Sequence, residues 1–233
     1  MCDFIFMLTR DDQTVSDAAR CLDTAIACGI RHIGFKDVGL PPSELRQLAA
    51  RIRESGATAY LEVVSLDEKS EGKSAEVALM TGVDCLMGGT RPDLVLSIIR
   101  DARIEYYPFP GRIESHPSIL RGTESEIVDH AVTLAAIDGV TGLDLLAYRW
   151  TGQNVERLIA AVCHEVAVPI VVAGSVNSPE QINAITRAGA AAFTIGTAAL
   201  DGRFPAKSGD LTSQLQAIVA AAETAASTPP SVD

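Results

Sequence analysis

Short runs rich in Val, Ile, Leu, Phe and Tyr recur along this chain, each followed by a longer stretch with helical spacing. That alternation is the signature of a parallel sheet with crossover helices, because parallel neighbours cannot be joined by a tight turn. Eight such runs are present: 4–9, 32–36, 59–64, 85–89, 105–109, 143–148, 170–173 and 192–195. The segment between the second and third, 43–54, places Leu45, Leu48, Ala49 and Ile52 on one face, suited to covering a sheet. Eight units in 233 residues predict one compact (β/α)8 TIM barrel over 1–226. An open doubly wound sheet is the alternative. The first strand is not followed by the Gly-x-Gly-x-x-Gly turn of a dinucleotide fold, which favours the barrel and argues against a nicotinamide or flavin dinucleotide. The polar, Pro-containing end, 227–233, reads as a frayed tail.

Composition narrows the partners. Nineteen Lys and Arg against thirty Asp and Glu give a formal charge of −11, which repels nucleic acid and anionic membranes. No apolar run is long enough to cross a bilayer, and the N-terminal residues lack a signal peptide's basic start, so a cytoplasmic location is expected. The five cysteines form no CxxC pair, which points away from a disulfide framework or a thiolate zinc site. The four histidines show no HxxxH spacing, so no essential transition metal is expected. A magnesium ion on a bound phosphate and assembly with further copies of the chain are both left open, and no cofactor is called for.

The segment 169–205 carries the clearest functional signal. Gly174 and Ser175 follow the seventh strand; Gly196 and Thr197 follow the eighth. Small residues there let backbone N–H groups approach an anion closely. Ser178, Pro179 and Gln181 read as the capping box of the next helix, and loops seven and eight are the usual phosphate site of such barrels. The alternative is that these glycines only make tight turns. A fainter echo, GVDCLMGGT at 82–90 against GAAAFTIGT at 189–197, suggests half-barrel duplication. Gly88, Gly89 and Thr90, with Thr90 as helix cap and Arg91 adding charge, then form a candidate second anion site; recurrence of Gly-rich turns by geometry alone is the more economical reading.

The strand ending AGS, the helix opening SPEQI, the RAGA turn and the run IGTAALDGRF together resemble the phosphate-binding barrels that include the phosphoribosyl-formimino isomerase of histidine biosynthesis and the N-acylmannosamine-phosphate 2-epimerases. The resemblance covers about the last quarter of the barrel. It implies a phosphorylated ligand held at Gly174, Ser175, Gly196 and Thr197, with Ser175 standing where those families often carry a second Gly.

Only one of the four lysines, Lys36, ends an apolar strand. Strand parity sends Ile33 and Phe35 toward the helices and His32, Gly34 and Lys36 inward. The same rule turns Tyr60, Glu62 and Val64 inward, so Lys36 and Glu62 should meet near the C-terminal rim. Glu62 could remove a proton beside a carbonyl while the Lys36 ammonium stabilises the enediolate, as in an isomerase or epimerase. Alternatively a desolvated Lys36 could form a Schiff base, as in a lyase or aldolase. A structural ion pair, or a barrel that binds a phosphometabolite without turning it over, is the non-catalytic alternative. IGFKD also resembles the second strand of the mannosamine-phosphate epimerases, though VGLPP after it departs from their pattern, and a strand-ending Lys-Asp resembles the formylfuran-phosphate synthases, whose further lysines have no counterpart here. Asp37 faces the other way and would reach the site only through a bend. Arg10, Arg112, His116 and Arg149 lie in loops that line such pockets and are candidates to meet a ligand oxyanion.

Overall fold

The computed structural model describes residues 2–65 and 67–227, and it places all eight expected strands in one parallel sheet. These are β1 (Asp3–Met7), β2 (His32–Lys36), β3 (Thr58–Val63), β4 (Cys85–Gly88), β5 (Glu105–Tyr107), β6 (Leu143–Leu145), β7 (Ile170–Val172) and β8 (Ala192–Ile195). The ladder runs β6-β7-β8-β1-β2-β3-β4-β5. Its ends meet where Thr141 N–H donates to the Tyr106 carbonyl at 3.0 Å and Asp144 N–H to that of Pro108 at 3.1 Å. The result is a nearly closed barrel.

Helices α1 (Ala18–Ala27), α2 (Pro42–Glu54), α3 (Glu68–Thr81), α4 (Pro92–Ile99), α5 (Glu124–Ala135), α6 (Val155–Glu165) and α7 (Pro179–Arg187) follow strands one to seven; α8 (Thr197–Leu200) and α9 (Leu211–Ser227) follow β8. In α2 the expected face, Leu45, Leu48, Ala49 and Ile52, is buried. The Leu and Ile side chains contribute roughly 2 kcal/mol each of hydrophobic burial. Parity divides the strands into two clusters. Phe4, Phe6, Ile33, Phe35, Leu61 and Val63 join the shell under the helices, while Ile5, Met7, Tyr60, Met87, Tyr107 and Val171 fill the barrel axis.

Only the second and eighth strands have the expected bounds; the first, third, fourth and seventh differ by one or two residues at one or both ends. Strand five stops at Tyr107 instead of reaching residue 109, because Pro108 has no N–H to continue the ladder. Strand six stops at Leu145, and Tyr148 lies in a single 3-10 turn, Ala147–Arg149. Ser227 ends α9 instead of opening a tail; residues 228–233, the rest of that expected tail, lie outside the described residues. Among the described residues no helix is long and apolar enough to cross a membrane.

Candidate active site

A two-residue turn at the barrel mouth organises the site. Thr9–Arg10 and Gln13–Thr14 pair as a tiny hairpin with Asp11 and Asp12 at its tip, both left-handed with φ of 50° and 59°. Two consecutive positive φ values are what a tight hairpin requires, and Asp tolerates them. Thr14 pins the hairpin onto β2: its hydroxyl donates to the Lys36 carbonyl at 2.8 Å and accepts the Lys36 N–H at 2.9 Å. Asp12 is thereby turned inward over the end of the strand.

There it meets the expected pair. Lys36 and Glu62 are direct register partners on β2 and β3, and the Lys36 Nζ stands 3.1 Å from Glu62 Oε1 and 2.7 Å from Asp12 Oδ1. All three side chains are buried. Burial works against the Lys36 ammonium, but the charges of Glu62 and Asp12 outweigh it and raise its pKa above the ordinary lysine value. For Asp12 burial pushes the carboxyl up, and bonds to Arg149 and Lys36 prevail and hold it well below the carboxylate range. A third acid, Asp144 on β6, is fully buried between the outward Leu143 and Leu145, and neither of its oxygens has a hydrogen-bond partner. Burial first, then the charge of Glu62, raises its pKa well above the usual range.

Lys36, Glu62 and Asp12 line a cavity of about 640 Å³ together with Gly174, Ser175, Asn177, Gly196, Thr197 and Ala198 of loops seven and eight. Gly174 and Ser175 are consecutive left-handed residues, φ of 85° and 60°. The glycines also have packing reasons. A Cβ on Gly174 would stand 2.8 Å from Arg149 Cγ, and one on Gly196 would stand 2.8 Å from the Thr9 carbonyl oxygen and 2.9 Å from that of Met7. The capping box of α7 is shifted by one residue: Ser178 Oγ accepts the Gln181 N–H at 3.4 Å, but Gln181 Oε1 accepts from Asn177 N–H at 2.7 Å.

The other expected residues fall in several places. Arg149 lines the cavity, yet its guanidinium is committed to Asp12. Arg10 points away from the cavity to Asp201, with 2.7 Å between Nε and Oδ1. Asp37 lies outside the barrel: one carboxylate oxygen accepts from Ser74 of α3, the other has no partner, and burial raises its pKa. Strand parity carries it there, and the bend at 37–40 that follows β2 does not bring it back. Arg112 pairs with Glu114 and His116 is exposed, neither reaching the cavity. Thr90 does not cap α4; Arg91 is its N-cap residue, and the Gly88–Thr90 turn is filled from within by Glu71. Among the described residues no group of His, Cys, Asp or Glu is arranged to hold a metal ion. Sequence reasoning missed Asp12, Asp144 and the cavity-lining Arg203. The parity that placed Glu62 would have found Asp144 in LDL; Asp12 had only its adjacency to Asp11 in a βα-loop.

Comparison with known proteins agrees with this fold. Residues 124–221, less than half of the chain, match the family model described as histidine biosynthesis protein. No curated protein matches in sequence. Among solved structures, orotidine 5'-phosphate decarboxylase from Pyrococcus horikoshii superposes with a TM-score of 0.67 at 13% identity, over 94% of this chain and 99% of that one. The chain has the (β/α)8 TIM-barrel fold. Thiamine phosphate pyrophosphorylase from Pyrococcus furiosus (TM-score 0.65, 12% identity, 96% of each chain) is similar to this barrel. So is phosphoribosylanthranilate isomerase from Thermotoga maritima (TM-score 0.63, 16% identity, 96% of this chain and 100% of that one). At these identities the likeness is one of fold.

Proposed function

We propose that this barrel is an enzyme that moves a proton at a carbon beside the carbonyl of a small phosphorylated sugar, an isomerase or epimerase. The observation that carries the reading is the Lys36 ammonium, held between Asp12 and Glu62 in the wall of a cavity that the small-residue turns of loops seven and eight also line. A phosphate on the Gly174–Asn177 and Gly196–Ala198 turns would direct the rest of a small sugar toward Lys36. Glu62 then takes the carbon-bound proton, and the ammonium stabilises the enediolate oxygen that forms. Asp144, the buried inward acid whose pKa Glu62 helps to raise, would hold a proton in reserve behind Glu62. The matched family and the names of the three structural neighbours, each containing a phosphate or phosphoribosyl group, support a phosphorylated ligand.

A Schiff-base lyase needs a neutral Lys36 amine. Two carboxylates raise the pKa of this lysine, so the amine is scarce at neutral pH and the lyase ranks second. The proton-transfer reading is tested by exchange of a substrate carbon-bound proton with deuterated water across a panel of small aldose and ketose phosphates. Glu62→Gln should slow exchange by roughly 10²- to 10⁴-fold, typical of a lost acid–base group, while ligand binding survives. Binding without exchange in the wild type would overturn the reading in favour of a non-catalytic phosphometabolite barrel.

A further inference from the structure

The two halves of the barrel treat equivalent turns differently. Aligned on Gly82 and Gly189, the echo places Gly89, Thr90 and Arg91 of loop four opposite Gly196, Thr197 and Ala198 of loop eight. The loop eight turn opens on the cavity. The loop four turn is already filled: the Glu71 carboxylate, from the first turn of α3, is fully buried in it. Glu71 Oε1 accepts from Thr90 N–H at 2.7 Å and from Arg91 N–H at 2.8 Å. Its Oε2 accepts from Arg91 Nη1 at 2.9 Å and from the Thr90 hydroxyl at 3.3 Å. Two adjacent amides, a hydroxyl and a guanidinium around one pair of oxygens are what a phosphate monoester would ask of the same turn. No room is left beside it, since even a Cβ on Gly89 would stand 2.6 Å from Glu71 Oε1.

We infer that Glu71 is a built-in anion that occupies the first-half counterpart of the loop eight turn and excludes a second phosphate, restricting this barrel to ligands with one phosphate. The inference rests on the phosphorylated-ligand reading above and narrows it. A bisphosphate would have to displace a buried carboxylate from four hydrogen bonds or place its second dianion elsewhere, with the Glu71 charge repelling it from loop four.

The test is amide NMR on the full chain. Inorganic phosphate should shift the amides of loops seven and eight in the wild type and leave Thr90 and Arg91 unmoved; in Glu71→Ala it should also shift Thr90 and Arg91. Fructose 1,6-bisphosphate should bind the wild type no more tightly than fructose 6-phosphate, whereas one added charge-assisted contact would give about tenfold. Wild-type bisphosphate binding tighter by tenfold with shifts at Thr90 and Arg91, or a folded Glu71→Ala whose Thr90 and Arg91 ignore phosphate, overturns the inference. If Glu71→Ala does not fold, the wild-type pair of sugar phosphates decides. Silence at loops seven and eight together with a gained response at Thr90 in the variant would count against the phosphate reading and for the Glu71 assignment, so the two failures are separable.

Discussion

Arg149 grips Asp12 through both carboxylate oxygens, Nη1 to Oδ2 at 2.7 Å and Nη2 to Oδ1 at 2.9 Å, joining a loop after β1 to one after β6. Oδ1 is shared with Lys36 Nζ, and Oδ2 also accepts the Ser118 N–H at 3.1 Å. One carboxylate thus bridges two cations and ties together three loops of the barrel mouth. Arg149 is therefore a brace before it is an oxyanion receptor, which revises its expected role of meeting the ligand directly.

Asp12→Asn leaves Lys36 and Arg149 facing each other without that charge, while Asn tolerates the same left-handed turn. Its urea denaturation should show a loss of roughly 3–5 kcal/mol, the scale of a broken buried pair. The Asp12 pKa is depressed in the fold, so its contribution is present above the unfolded value near 4 and is lost as pH falls. The gap between wild type and variant should therefore narrow in acid. A gap below about 1 kcal/mol at neutral pH would mean that the brace is energetically idle.

Asp144 behaves in the opposite sense. Its pKa is raised in the fold, so folding takes up a proton and wild-type stability should fall as pH rises above about 4 until the folded pKa is passed. Asp144→Asn keeps the shape and removes the titration. Melting followed from about pH 5 to 9 should show the variant gaining on the wild type by up to roughly 1 kcal/mol per pH unit over the window in which Asp144 holds its proton. A difference that does not change with pH would show that Asp144 is ionised in the fold.

Lys36 should stay chemically silent. Incubation with a ketose phosphate and borohydride, followed by mass spectrometry of the Lys36 peptide, should give no adduct, because the ammonium is held by two carboxylates. A trapped adduct at Lys36 would promote the lyase over the isomerase.

Gly196→Val is expected to destabilise the barrel by more than about 2 kcal/mol, since its Cβ would press on the carbonyls of Thr9 and Met7. Thermal melting measures this, and an unchanged Tm would show that β1 can give way. A cleaner probe of the ligand is Arg203→Gln. Arg203 lines the cavity, is largely exposed and pairs with Asp201 at 3.0 Å. Calorimetry with a sugar phosphate should show affinity lower by about tenfold at unchanged Tm, one charge-assisted bond being lost.

The sequence by itself determined the eight-strand plan, the helical face of α2 and the meeting of Lys36 with Glu62. Each of these depends on a local period, two residues along a strand or 3.6 along a helix, and a period is written directly in the order of apolar and polar side chains. It also carried the small residues of loops seven and eight. What only the tertiary structure decided is which charges those elements meet. Asp12 enters because two left-handed residues turn a hairpin over the barrel mouth, and Arg149 is committed because that hairpin lies across its path. Asp37 leaves because it meets Ser74 of α3 on the helix side of the sheet, and the Gly88–Thr90 turn closes because Glu71 comes from the neighbouring helix. Such contacts join residues far apart in the chain, and their partners are fixed by loop dihedrals and strand closure, which no periodicity in one segment encodes.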